Sequence, residues 1–167
     1  MELVSKTIEW TPRVELPKEP TYIMPLGDIQ WTGRKNEVSY QLLKERIALG
    51  VSLKAWFIGM GDYTDLASPS NRARLQSAAL YETTKQTLED SAKRLTNDLY
   101  SVLLEPTTGR WLGLLEGHHF YEFQDGTTSD QQLCQLLKAP FLGSSAIVGL
   151  QYIRTSDHHL TGTVNIW

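Results

Sequence analysis

Short apolar runs alternate along this chain with longer stretches of helical periodicity. The first run, residues 22–26, closes on Gly27-Asp28 and reads as a strand leading into a loop. From 37 to 49 the apolar positions Val38, Leu42, Leu43, Ile47 and Leu49 recur at helical spacing, with Gly50 as the stop. Residues 54–58 form the second run, again followed by glycine and aspartate. The stretch 67–73, with Ser68, Pro69, Ser70 and Asn71, reads as a loop. Apolar residues from Leu75 to Leu103 then recur three and four apart, which predicts one helix or two over 74–104, ended by Pro106.

After a turn at Thr107-Thr108-Gly109 comes the third run, 111–115. Residues 120–128 read as a polar and aromatic loop. Ser129-Asp130-Gln131-Gln132 fits a capping box opening a helix through Leu137, which Pro140 ends. Residues 146–154 and 161–167 read as two strands joined by a hairpin loop. Residues 1–20, with Pro12, Pro17 and Pro20, read as an extended lead-in with a short edge strand over 7–10. The alternation of strands and helices predicts one α/β layered domain over 1–167, with sites at the carboxyl ends of its strands.

Composition narrows this picture. The chain has 167 residues, 41% of them hydrophobic, and a formal charge of −3, so no overall basic surface exists for bulk nucleic-acid binding. The single cysteine, Cys134, excludes an internal disulfide and reads as a small buried helix residue. The N-terminus lacks the apolar run of a signal peptide, and no segment approaches the about 20 apolar residues of a membrane span. The expectation is an intracellular, cytoplasmic protein with no membrane partner.

Three strand exits carry the candidate chemistry: Pro25-Leu26-Gly27-Asp28-Ile29-Gln30, Gly59-Met60-Gly61-Asp62-Tyr63-Thr64-Asp65 and Leu115-Glu116-Gly117-His118-His119. If 28–30 is extended, Asp28 and Gln30 project to one side and converge on one ion. Asp62 has two oxygens and can bridge two cations. One imidazole of the His118-His119 pair can ligate while its neighbour points elsewhere. Carboxylate, amide and imidazole donors suit Mn, Fe, Ni or Zn better than Mg. Two such cations about 3.5–4 Å apart form a clamp for displacement at phosphorus. Trp31, Tyr63, Phe120, Tyr121 and Phe123 could frame an aromatic leaving group, with loop packing the plainer reading.

These motifs resemble the calcineurin-like metallophosphoesterase superfamily, in its phage- and bacteria-encoded branch. That pattern runs Asp-x-His, Gly-Asp-x-x-Asp/Asn, Gly-Asn-His-Asp/Glu, a lone His and Gly-His-x-His. Asp28-Ile29-Gln30 is similar to the first motif with Gln for His. Gly61-Asp62-Tyr63-Thr64-Asp65 matches the second, and Gly117-His118-His119 resembles the third with His for Asn and Phe120 in the acid's place. The resemblance implies a four-layer α-β-β-α sandwich, incomplete at the C-terminus, and a metal-dependent phosphoester hydrolase of phosphodiesterase or nuclease-like type. It implies two divalent cations, Mn preferred and Fe, Ni or Zn as alternatives, held by Asp28, Gln30, Asp62 and His118. His119 would be the general acid or transition-state donor, and Asp65 would orient a loop or ligand. Apart from the resemblance, Arg34, Arg72 and Arg74 flank the first two loops and could meet substrate phosphate, with solvated surface the plainer reading. The substrate would be a phosphoester such as nucleic acid or a nucleotide.

The last two motifs of the pattern are not matched. His158 and His159 fall in the predicted hairpin loop and are read as surface residues. The expectation is therefore the N-terminal part of a longer protein, weakly active or inactive by itself. The alternative is a non-catalytic binding or assembly module with a degenerate metal site.

Overall fold

The computed structural model describes residues 13–15, 20–35, 38–66, 70, 73–75, 78, 80–153 and 160–166. The elements in order are β1 (Arg13–Glu15), β2 (Ile23–Leu26), α1 (Val38–Ser52), β3 (Trp56–Gly59), α2 (Glu82–Leu99), β4 (Trp111–Leu115), α3 (Ser129–Leu137), β5 (Phe141–Gly143), β6 (Val148–Ile153) and β7 (Leu160–Ile166). The fold is mixed α/β. Strands β2-β3-β4-β5 form a four-stranded parallel sheet in chain order, and β1-β6-β7 form a second, three-stranded sheet. No helix among the described residues is long and apolar enough to cross a membrane.

Chain-order pairing decides where the helices go. Each crossover steps the same way across the sheet, so right-handed connections place every helix on one face. Met24, Leu26, Phe57, Trp111, Leu114 and Phe141 line that face and pack against Ile47 of α1, Leu99 of α2 and Leu133 of α3. The other face is equally apolar and needs another cover. Ile58, Leu112 and Leu142 meet Val148 and Leu150 of β6, so the second sheet closes this side. Both faces of the parallel sheet are buried, which accounts for the continuous apolar runs of β3 and β4.

A bulge keeps both faces of β4 in use. Phe57 pairs with Trp111 but Ile58 pairs with Gly113, so Leu112 is the extra residue. Trp111 and Leu114 therefore share the helical face although they are three apart, while Leu112 and Leu115 face the second sheet. Gly113 is at φ +152, and a Cβ there would lie 2.6 Å from Leu142 Cγ.

Several expectations shift. The helix from 37 does not stop at Gly50 but runs to Ser52, and Gly50 is a buried contact point. A Cβ on it would lie 2.7 Å from Phe57 Cζ and 3.0 Å from Met24 Sδ. Of the one helix or two expected over 74–104 the chain forms a divided stretch, with residues 73–75 helical and residues 80–81 not. Its long helix starts at Glu82 and widens into a π-turn over Tyr100–Leu104, followed by a 3-10 turn at Glu105–Thr107. Pro106 lacks the N–H that would continue the α-helical ladder.

The capping box sits one residue earlier than expected. Thr128 Oγ1 accepts from Gln131 N and Gln131 Oε1 accepts from Thr128 N. Ser129 is occupied elsewhere, its hydroxyl accepting from Tyr121 N at 3.0 Å. The helix ends at Leu137, where Lys138 takes a left-handed cap at φ +55 and so precedes Pro140. Strand β5 was not expected, and β6 with β7 forms the expected antiparallel pair. The expected edge strand over 7–10, His158 and His159 lie outside the described residues.

The Gly50 contact gives a test in which two rules disagree. Helix propensity alone says Gly50→Ala stabilises by about 0.5–1 kcal/mol. Packing says it costs about 1–3 kcal/mol, because the Phe57 ring is fully buried and cannot retreat. Urea denaturation of the variant should show the loss.

Candidate functional site

The three motif-bearing loops leave neighbouring strands β2, β3 and β4 at their carboxyl ends. The first two run on side by side past the sheet. Met60 N donates to Leu26 O, Asp28 N to Gly61 O, Gln30 N to Asp62 O and Trp31 N to Tyr63 O. Asp65 N then donates to Trp31 O, extending the ladder as far as the Trp31–Thr64 bridge.

The third loop joins this pair through Asp62. Its Oδ1 accepts a short hydrogen bond from His118 N and another from His119 N at 3.2 Å. Two glycines permit the approach. A Cβ on Gly61, at φ +93, would lie 2.8 Å from Gly117 Cα, and a Cβ on Gly117 would overlap the Asp62 backbone nitrogen. Neither loop could come this close with any larger residue at those positions.

Buried polar groups brace the junction from below. Tyr63 is 1% exposed, and its hydroxyl donates to Leu115 O at 2.7 Å while accepting from Gly61 N at 3.0 Å. Burial pushes its phenol far above the usual range, so it stays a neutral donor. Asp130, in the first turn of α3 and 2% exposed, accepts from Gly117 N at 3.0 Å. Burial raises its pKa to about 6, the Gly117 amide opposes that rise, and the negative fields of Glu116 and Asp62 add to it. Cys134 is buried on α3 as expected, and burial pushes its thiol up to about 12.

Asp28, Gln30 and Asp62 all take positive φ, at +50, +45 and +56. The 28–30 segment is thus not extended, and the same-side argument for Asp28 and Gln30 does not apply. Gln30 instead lines a hollow of about 40 Å³ with Trp31, Thr32, Arg34 and Tyr40. His119 Nδ1 lies 3.3 Å from Asp65 Oδ1, so Asp65 is placed to orient that ring. His118 is exposed. Trp31 is buried, with its indole N–H donating to Asp98 Oδ2, and Tyr63 is internal, so both brace loops rather than frame a ligand.

The donors at these exits have the chemistry for a borderline divalent cation. Among the described residues, however, no three His, Cys, Asp or Glu side chains converge on one point. The three loops are brought together, but their side chains do not form a closed cage. Asp130 was not legible as a site residue, nor were the bracing roles of Tyr63 and Gly117. Asp130 reads in sequence as an ordinary acidic residue of a first helical turn, and nothing local signals that it faces a loop 13 residues earlier.

Asp130 gives a pH test. Its folded pKa of about 6 lies above the unfolded value of about 3.9. The fold thus favours the protonated form, and this contribution is complete below about pH 4 and lost as pH rises through about 6. The gap corresponds to up to about 3 kcal/mol. Asp130→Asn cannot titrate, so its stability should gain on the wild type between about pH 4 and pH 7. Urea unfolding of both proteins across that range, with chelator present, measures the difference.

Compared with known protein families, with characterised proteins and with solved structures, the chain finds no match.

Proposed function

We propose that this chain is a metal-dependent phosphoester hydrolase of the calcineurin-like metallophosphoesterase type, acting on a phosphodiester such as nucleic acid or a nucleotide. The observation that carries the reading is the junction at Asp62, where three motifs met separately in sequence share one sheet edge. Left-handed backbone at Asp28, Gln30 and Asp62 supports it, because such conformations cost about 1–3 kcal/mol each and cluster at ligand clamps. Helices on one face and a second sheet on the other supply the α-β-β part of the proposed four-layer sandwich. The reading rests on motif order and placement, not on a matching relative.

By this reading Asp28, Gln30, Asp62 and His118 would hold two divalent cations, Mn preferred and Fe, Ni or Zn as alternatives, once their side chains turn toward one another. When bound, such a pair supplies charge neutralisation and an acidified water. The remaining work falls to the chain's own side chains. Asp65 Oδ1 beside His119 Nδ1 orients the ring and leaves Nε2 as the nitrogen that would exchange a proton with the leaving oxygen. Arg34, beside Gln30 in the same hollow, offers a planar pair of donors to a phosphoryl oxygen.

A second reading, a binding or assembly module with a degenerate site, has its own observation. Asp62 Oδ1 already accepts two amide bonds, and no three of the searched donor side chains converge among the described residues.

Calorimetry with Mn²⁺ and hydrolysis of bis(p-nitrophenyl) phosphate separate the two. The hydrolase reading expects Mn²⁺ binding that Asp62→Asn weakens by more than about 100-fold, beyond what loss of an outer partner costs. It also expects hydrolysis, weak in this chain alone, whose kcat falls about 10²–10⁴-fold in His119→Ala. Binding without hydrolysis selects the module. The absence of any Mn²⁺ binding overturns the metal reading.

A further inference from the structure

Asp130 is a buried carboxylate to which the proposed reaction assigns no part. It sits at the start of α3, far in sequence from the first two loops, yet it accepts from the one residue on which the third loop turns. Gly117 touches Gly61 and the backbone of Asp62, and the next two amides, of His118 and His119, bond Asp62 Oδ1. Moving Gly117 therefore moves both donors of Asp62. The loop is also held at Leu115, whose O accepts from the Tyr63 hydroxyl that also holds Gly61 N, and at Glu116, whose N donates to Gly143 O at 2.8 Å. Gly117 has no Cβ to wedge it in place, so the position of its amide depends on these hydrogen bonds.

We propose that Asp130 is the positioning residue of the three-loop centre: through the Gly117 amide it sets the third loop so that His118 and His119 are presented at Asp62. The role does not reduce to capping α3, because Thr128 and Gln131 already provide the capping box. Nor does an ion pair explain it. The charged groups that act on Asp130 from neighbouring elements are Glu116 and Asp62, both acidic. A buried carboxylate beside two others is costly to keep, and the Gly117 amide and the Ser129 hydroxyl offset that cost. The consequence for metal affinity rests on the proposed function, whereas the consequence for the loop does not.

The test uses the full chain, as wild type, Asp130→Ala and Asp130→Asn, read by amide hydrogen exchange and by Mn²⁺ calorimetry. Asparagine keeps an acceptor oxygen of the same reach. Exchange at Gly117, His118 and His119 should quicken at least about tenfold in Asp130→Ala while strand amides of β3 and β4 hold, and should stay near wild type in Asp130→Asn. Mn²⁺ affinity should fall about 10–100-fold in Asp130→Ala and recover in Asp130→Asn. Unchanged local exchange in Asp130→Ala overturns the proposal. So does exchange that quickens uniformly along the chain, since Asp130 would then serve the fold as a whole. If Asp130→Ala does not fold, Asp130→Asn decides: wild-type exchange in the third loop supports the acceptor role and quickened exchange there overturns it. If the wild type binds no Mn²⁺, it is the metal reading that fails, and the exchange arm still judges the positioning role.

Discussion

Gly61 and Gly117 meet backbone to backbone, and the candidate site depends on that contact. With any side chain at Gly117, the third loop would stand off from Asp62. The Asp62 carboxylate would then lose the His118 and His119 amides, and only the first two loops would remain joined. Close approach of this kind is the use to which glycine is suited, and here it fixes where chemistry-bearing residues from three strands can gather. Tyr63 and Asp130 hold the two sides of the contact with buried hydrogen bonds. In a low-dielectric setting such bonds are costly to leave unmade, which makes the arrangement specific.

The contact is possible only because β2, β3 and β4 are adjacent and parallel. Parallel pairing sends all three loops off the same edge, and chain-order pairing puts each loop beside the next. The same topology leaves one face of the sheet without helices. The sheet formed by β1, β6 and β7 covers it, so the C-terminal hairpin serves the core that supports the site as well as its own pairing. The bulge at Leu112 lets β4 feed both cores within five residues.

Several features were written plainly in the chain. The runs ending at Leu26, Ile58 and Leu115 read as strands because each is apolar and leads into a glycine-containing polar exit. The helices of 38–52 and 129–137 read from periodicity and capping. Other features had no local signature. Strand β5 is only Phe141–Gly143, too short to show a period, and exists because β4 offers it an open edge. Gly50 looks like a helix stop and is instead a seat for the Phe57 ring, which only packing reveals.

The sequence by itself determined β2, β3 and β4, the helices between them and the three exits where Asp28, Asp62 and His118 stand. Those follow from local polarity and from residue types that favour one backbone geometry. Tertiary structure alone decided how the exits relate to one another. It set Asp28, Gln30 and Asp62 in left-handed conformations and aimed Asp65 at His119. It also buried Asp130 beneath Gly117. Each of these is a contact between residues distant in the chain, settled by which strands pair and how near two backbones can come, and no periodicity in the sequence encodes that.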